Sequence, residues 1–359
     1  MLDNGSTSTL FIAAGGGVYR WTGSTWVPLQ SNPIGVVCLT VFDDGTGPSL
    51  YAGTGSQAIG AGPGNIFRWD GATWLVVGSG ISMSPTPQLS QPRVIALALH
   101  DDDGPGPVRP ALYVGGSFLR AGILPVNNIA RWDGAAWSNV GGGVTRPSPI
   151  GMEVRALFSA NEPSGPVLYI GGLFETGGAP AVPSINVARW NGINYLQPVP
   201  AIGPSEFVAS FAQFDDGAGP ALYIGGVFSQ HGPVNVLKWD GTTVTGLGPP
   251  ASATGQVYTM LPYDDGRGPA LFVGGTFSTI GGISALSVAR WGRPPCRANC
   301  DGSLGPTGCA TLNVNDFFCF LNLFAVGDAR ANCDGGGTPP TLNVNDFICY
   351  INAFAAGCS

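Results

Sequence analysis

Short apolar runs, each closed by a polar glycine-rich turn, recur along the first 290 residues. Leu-(Tyr/Phe)-(Val/Ile/Ala)-Gly or a close variant begins at Leu10, Leu50, Leu112, Leu168, Leu222 and Leu271. A second run, usually a variant of Ala-Arg-Trp-Asp-Gly, follows each time and is centred on Trp21, Trp69, Trp132, Trp190, Trp239 and Trp291. Residues 207–246 hold one complete unit. Residues 207–214 mix apolar and small residues, as a buried strand does, and an Asp-Asp-Gly-Ala-Gly-Pro turn follows. Residues 222–226 are short and apolar, residues 234–239 end on Trp239, and a weaker run starts at Thr243. Asp and Gly at the joints supply the local hydrogen bonds and positive φ of tight turns. The pattern predicts four short antiparallel strands per unit.

Units of 40 to 62 residues built this way point to radial repetition, with one blade of a β-propeller per unit. The expected fold is all-β, a propeller of about six blades over residues 1–292, closed as one toroid. First strands are expected at residues 36–42, 94–99, 154–158 and 257–263. Trp26, Trp74 and Trp137 open the outer strand, with Tyr195 and Thr243 in their place later. On this count blade one lacks its first strand and blade six its last. Gly-Gly-x-Phe recurs at residues 115–118, 171–174, 225–228 and 274–277. With the Ala-Arg-Trp-Asp-Gly runs, it resembles Kelch-like and related bacterial propeller repeats of secreted proteins over roughly residues 8–292. The resemblance speaks to architecture, because propellers carry many unrelated activities.

Composition changes at residues 293–295, a linker, and residues 296–359 form a second predicted domain. Two copies of another repeat fill it: Arg-Ala-Asn-Cys-Asp-Gly at Arg297 and Arg330, each followed by Thr-Leu-Asn-Val-Asn-Asp-Phe at Thr311 and Thr341. Phe317, Phe320, Leu321 and Phe324 fall on one helical face, as do Phe347, Tyr350, Ile351 and Phe354. Asn315 or Asp316, and Asn345 or Asp346, are the expected caps. This duplicated loop–helix resembles the dockerin family, in the variant that ends many planctomycete secreted proteins. The resemblance implies half-EF-hand calcium loops and a cohesin-like protein or cell-surface partner. Carried over, the calcium ligands are Asn299, Asp301, Asp316, Asn332, Asp334 and Asp346, with Gly302 and Gly335 at the turn. Arg297 and Arg330 stand where an anionic first ligand belongs, and the loops run to 20 and 17 residues (297–316 and 330–346). Weak calcium binding at best is therefore expected, with disulfides taking over part of the metal's clamping.

Seven of the eight cysteines crowd into the last 64 residues, leaving Cys38 alone. That density predicts a disulfide framework and an oxidising, extracellular or cell-surface location. Repeat logic pairs Cys300 with Cys319, Cys333 with Cys349, and Cys296 with Cys358, leaving Cys38 and Cys309. No signal peptide is visible in Met-Leu-Asp-Asn-Gly-Ser, so an internal start or a removed leader is expected.

Charged residues are 10% of the chain, against about 25% in soluble proteins at large, with a single lysine, Lys238, and a net charge of −7. Without a basic cluster, nucleic-acid binding is excluded as an expectation. No apolar run approaches the ~18 residues of a membrane helix. The doubled aspartates at 43–44, 215–216 and 264–265 read as turn residues before glycosidase carboxylates. His100 and His231 lie in different blades, none of the four glutamates repeats, and the tryptophans share a packing slot. The predicted function is a secreted, non-catalytic binding platform with a tethering module and a carbohydrate or protein ligand. The alternative is a polysaccharide-active lyase, glycosidase or sugar oxidase on the propeller.

Overall fold

The computed structural model describes the chain except residues 1, 4–7, 56–64, 84–90, 147–151, 197–201, 204–205, 217, 229–233, 248–254, 266–268, 281–282, 292–313, 326–330, 332–342 and 357–359. Among the described residues the chain is all-β through Trp291, with two helices after it. Six small antiparallel sheets follow the six sequence units in the meander order of propeller blades. Blade 2 consists of Val36–Asp43, Pro48–Thr54, Ile66–Trp69 and Trp74–Val76. Blade 3 consists of Arg93–His100, Ala111–Ser117, Ile129–Trp132 and Trp137–Asn139. Blade 4 has Glu153–Glu162, Gly165–Leu173 and Val187–Trp190, and among the described residues a Trp190–Tyr195 bridge stands in place of the outer strand. Blade 5 has Phe207–Asp215, Pro220–Phe228, Val234–Trp239 and Val244–Gly246. Blade 6 has Val257–Asp264, Pro269–Gly275 and Val288–Trp291, and so lacks an outer strand among the described residues.

Blade 1 corrects the sequence expectation. Its main sheet is Phe11–Ala14, Gly17–Trp21 and Trp26–Pro28. Leu2–Asp3 also pairs with Ser8–Thr9, Leu2 opposite Thr9 and Asp3 opposite Ser8. This is the register of Phe42 with Ser49 and Asp43 with Pro48 in blade 2. The end of a first strand is therefore present. It escaped notice because it is two residues long and leads into Asp-Asn-Gly rather than Asp-Asp-Gly.

Apolar residues cluster once per sheet-to-sheet contact, as stacked blades require. Phe42, Tyr51, Val94, Leu112 and Trp132 lie between blades 2 and 3. Tyr113, Val154, Ile170 and Trp190 lie between blades 3 and 4, and Tyr169, Val208, Ile224 and Trp239 between blades 4 and 5. Between blades 1 and 2 the fully buried set shrinks to Val18, Val36, Leu50 and Ala52. Glycine is required where blades approach closely: a Cβ on Gly115 would lie 2.5 Å from Val154, and one on Gly171 2.5 Å from Val208. Short hairpins follow the Gly-Gly-x-Phe runs, at Arg120–Ala121 with Leu124–Pro125 and Thr176–Gly177 with Val182–Pro183. Two-residue strands like these leave no legible periodicity.

The chain divides into two compact units, Met1–Gln213, Ala221–Leu261 and Val273–Ala289 in one, Phe214–Pro220, Pro262–Phe272 and Arg290–Ser359 in the other. The second contains helix α1, Val314–Ala325, and helix α2, Val344–Ala356. Phe320 and Tyr350, equivalent in the two repeats, stack 3.9 Å apart at 7° and are buried. Phe317, Leu323, Phe324 and Phe347 pack around them. Ile351, expected on this face, is exposed.

Candidate functional site

The doubled acids divide their labour. In blade 2 the first, Asp43, accepts the amides of Gly45 and Gly47 and so shapes the turn. Asp215 accepts Gly219 N in the same way. The second, Asp44, accepts Tyr51 Oη–H at 3.1 Å and lies 3.2 Å from Arg68 Nε. Burial pushes its carboxyl up, but Thr46, Arg68 and Tyr51 outweigh that and hold it below the usual range. Blade 3 repeats the clasp with Asp102, bonded by Tyr113 at 2.5 Å and Arg131 at 3.0 Å. In blade 4 Glu162 takes both Tyr169 and Arg189. In blade 6 Asp265 pairs with Arg290 at 3.3 Å. The tyrosine belongs to the Leu-Tyr strand and the arginine to the Arg-Trp strand, directly opposite one another in the ladder. These ionisable clusters hold one blade's three strands together at its turn end. Burial and the neighbouring carboxylate raise the Tyr51, Tyr113 and Tyr169 hydroxyls well above their usual pKa, so they stay protonated.

His100 lies in this setting. It precedes Asp101 and Asp102 just as Phe42 precedes Asp43 and Asp44. Its ring meets Tyr113 edge-on at 5.6 Å, as Phe42 meets Tyr51 at 5.4 Å. Nδ1 lies 2.8 Å from Ser159 Oγ and Nε2 lies 3.7 Å from Asp102 Oδ1. A serine beside a neutral imidazole is a nucleophile–base arrangement in outline. Here Tyr113 and Arg131 already occupy Asp102, and the imidazole packs as a phenylalanine does. Burial lowers the His100 pKa, against the pull of Asp102 and Asp101 and with the repulsion of Arg131. A base whose pKa falls on folding binds protons more readily unfolded, so its contribution to stability diminishes as pH drops below about 6.5. We expect His100→Phe to flatten the denaturation midpoint between about pH 6.5 and 5, while the wild type declines. Equal slopes in the two proteins would refute the assignment.

The glutamates are likewise engaged. Glu153, 5% exposed, accepts from Arg93 at 3.0 Å and from Arg155. Arg155 in turn lies 4.3 Å over the Phe207 ring. Glu175 pairs with Arg146 at 3.1 Å, and Glu206 accepts Gly203 N at 2.8 Å. Trp132, Trp190 and Trp239 are buried between blades. Cys38 is a free thiol packed under Val94, its pKa pushed up to about 12 by burial. It occupies the slot of Ala96 and Ala156, each opposite a glycine across the ladder. His231 lies outside the described residues.

Sequence reasoning missed a buried asparagine before the Arg-Trp strand. Asn65, Asn128 and Asn186 all have left-handed φ, 66°, 64° and 60°. Asn128 donates to Val144 O at 3.0 Å and accepts Phe118 N at 3.3 Å. Asn186 donates to Gly203 O and Glu206 O, both at 2.8 Å, and accepts Phe174 N at 3.1 Å. Asn65 donates to Pro92 O, and Asn235 to Gly255 O at 2.9 Å. Each stitches a blade to the connection leading into the next. The signal was in plain view: Asn-Ile or Asn-Val opens four of the six strands that end in the repeated tryptophan.

Of the residues implied as calcium ligands, Asn299, Asp301, Asn332 and Asp334 lie outside the described residues. Asp316 and Asp346 are fully buried at the helix starts. The cap of α2 is Asn343 rather than Asn345 or Asp346. Asn343 Oδ1 accepts Asn345 N at 2.7 Å, and Asp346 Oδ2 accepts Asn343 N at 2.9 Å, a reciprocal capping box. Helix α1 starts at Val314, also ahead of the expected caps. Cys319 and Cys349 are both in disulfides. Cys296, Cys300, Cys309, Cys333 and Cys358 lie outside the described residues. No helix among the described residues is long and apolar enough to cross a membrane.

No protein-family model matches the chain, and no curated protein matches it. Solved structures with some likeness include BBS1N in complex with ARL6DN, 12% identical over 80% of this chain and 79% of that chain, at a TM-score of 0.39. Another is the GH74 enzyme of Niastella koreensis, 17% identical over 70% of this chain, at a TM-score of 0.33. The alignment spans 36% of that enzyme's length. Similarity this distant bears on neither activity nor ligand.

Proposed function

We infer that the chain is a secreted, non-catalytic binding platform: the blades present a surface to a carbohydrate or protein ligand, and the C-terminal helix pair tethers it to a cohesin-like or cell-surface partner. The observation that carries this reading is the clasp. The acids, arginines and tyrosines that would furnish catalytic chemistry hold strands together at equivalent places in successive blades. The half-cystines Cys319 and Cys349 support an oxidising compartment. Phe318 and Ile348, at equivalent positions in the two repeats, are 56% and 51% exposed and supply an apolar surface for the tether. Weak calcium binding through Asn299, Asp301, Asp316, Asn332, Asp334 and Asp346 belongs to this proposal. Calcium would neutralise and cross-link their oxygens; Asp346 already spends one oxygen on its helix cap.

The test is to incubate the full chain with acidic and neutral polysaccharides and with cell-envelope fractions, measuring retention and product release together. Retention without product is expected, and Phe318→Asp with Ile348→Asp should abolish retention on the envelope only. Sustained release of sugar would establish the enzyme alternative instead.

A further inference from the structure

The turn after the repeated tryptophan is held by one side chain. In blades 2, 3 and 5 that side chain is an aspartate. Asp70 Oδ1 accepts the amides of Ala72 and Thr73, Asp133 Oδ1 those of Ala135 and Ala136, and Asp240 Oδ1 those of Thr242 and Thr243. Blade 4 places Asn191 there. Asn191 Oδ1 accepts Ile193 N at 3.1 Å and Asn194 N at 2.8 Å. The main-chain closure is also shared: Asn191 N donates to Asn194 O at 3.2 Å, as Asp70 N does to Thr73 O at 3.1 Å. The next residue is glycine in all four turns, with φ of 103°, 105°, 89° and 99° at Gly71, Gly134, Gly192 and Gly241. In blade 4 it has no room for a side chain, because a Cβ on Gly192 would lie 2.8 Å from Asp102 Cβ. Blade 4 therefore carries an Asn-Gly pair in a turn whose copies in blades 2, 3 and 5 are Asp-Gly.

When glycine follows asparagine, no Cβ hinders the glycine nitrogen from reaching the side-chain amide carbon. Such an attack turns the side-chain oxygen into an oxyanion. In Asn191 that oxygen already has two main-chain N–H donors aimed at it. This is the arrangement that stabilises the tetrahedral intermediates of acyl transfer. Asn191 and Gly192 are half-buried and Ile193 is 76% exposed, so the turn is within reach of water.

We propose that Asn191 is a site of self-catalysed deamidation, converted in the folded chain to the aspartate that blades 2, 3 and 5 carry. Gly192 N gives its proton to solvent and bonds to Asn191 Cγ. The tetrahedral centre, its oxygen held by Ile193 N and Asn194 N, breaks its bond to Nδ2. That nitrogen takes up a proton and leaves as ammonia. Water then opens the cyclic imide at Cγ, which returns a proton to Gly192 N and leaves a carboxylate. Opening at the main-chain carbonyl instead gives isoaspartate, whose main chain gains a methylene and forfeits the turn. Blade 3 shows that a carboxylate is accommodated here. Asp44 packs over Gly134 as Asp102 packs over Gly192. The Asp133 carboxyl is nonetheless held below the usual range, first by the amide of Ala136 and then, against burial, by Ala135 and Arg131. Arg189 has the place of Arg131 in its ladder. The site stands apart from the binding-platform reading and does not depend on it.

The experiment is incubation of the full chain at mildly alkaline pH, native and in urea, followed by mass spectrometry of the tryptic peptide 190–238. Conversion of residue 191 to aspartate is expected in the native chain, at least as fast as in urea. Ile193→Pro removes one donor to Oδ1. It should slow native conversion several-fold and leave the rate in urea little changed, with tryptophan emission reporting that the variant folds. If it does not fold, the comparison of native and unfolded wild type decides alone. An Asn191 that survives in the native chain while it converts in urea would overturn the proposal. So would isoaspartate as the main native product, or a native rate unmoved in folded Ile193→Pro.

Discussion

Asn186→Ala will cost the protein about 3–5 kcal/mol, among the largest effects of any single substitution outside the tail. The side chain satisfies Gly203 O, Glu206 O and Phe174 N in a fully buried position. Leaving such groups without partners costs about 1–3 kcal/mol each, partly relieved where water can enter. Alanine is also strained at φ 60°, by about 1–2 kcal/mol. Glycine removes only the second penalty, so Asn186→Gly should be the milder variant by about 1 kcal/mol. Urea denaturation followed by tryptophan fluorescence separates the two. If Asn186→Ala shifts the free energy by less than about 1 kcal/mol, the stitch is not what joins blade 4 to its successor.

Reduction of the tail should abolish the helical circular dichroism of residues 314–356, while chelation with the disulfides intact should leave it in place. The helices share a small core around Phe320 and Tyr350. A core of that size falls short of the cost of ordering about 60 residues. Each disulfide contributes about 2–4 kcal/mol by restricting the unfolded chain, and both helices carry a half-cystine, Cys319 and Cys349. If the tail binds as the dockerin resemblance implies, Arg297 and Arg330 would stand at the first ligand position, where a guanidinium disfavours a cation. Melting on chelation of the oxidised protein would show that calcium supplies the missing stability.

The blade strands were legible because their signal is repeated and strong. Leu50, Leu112 and Leu168 lie opposite Trp69, Trp132 and Trp190 in three ladders, and each tryptophan announces the turn after it. Among the described residues the outer strand of blade 4 comes down to the Trp190–Tyr195 bridge and the Leu196 N–H donated to Arg189 O, too short a piece to leave a periodicity. Helix starts were misplaced by one to three residues. Thr-Leu-Asn-Val-Asn-Asp offers several capping side chains, and only the reciprocal bonds of Asn343 and Asp346 select among them. The clasp was half legible. The doubled aspartates stood out as turn residues, but nothing local says that the second reaches Tyr51 and Arg68, 7 and 24 residues on. His100 looked like a solitary histidine; only superposition on Phe42 reveals it as a polar ring in an aromatic slot.

The asparagine stitches all run the same way. Asn65, Asn128, Asn186 and Asn235 each reach forward to a carbonyl just ahead of the following sheet. During synthesis, therefore, blades 2 to 5 would each leave the ribosome with an open donor, to be satisfied only when the start of the successor emerges. Shortening the chain from its C-terminal side between these blades would strand such a donor, whereas shortening from the N-terminal side would strand only an acceptor. The array has a growing end and a finished end.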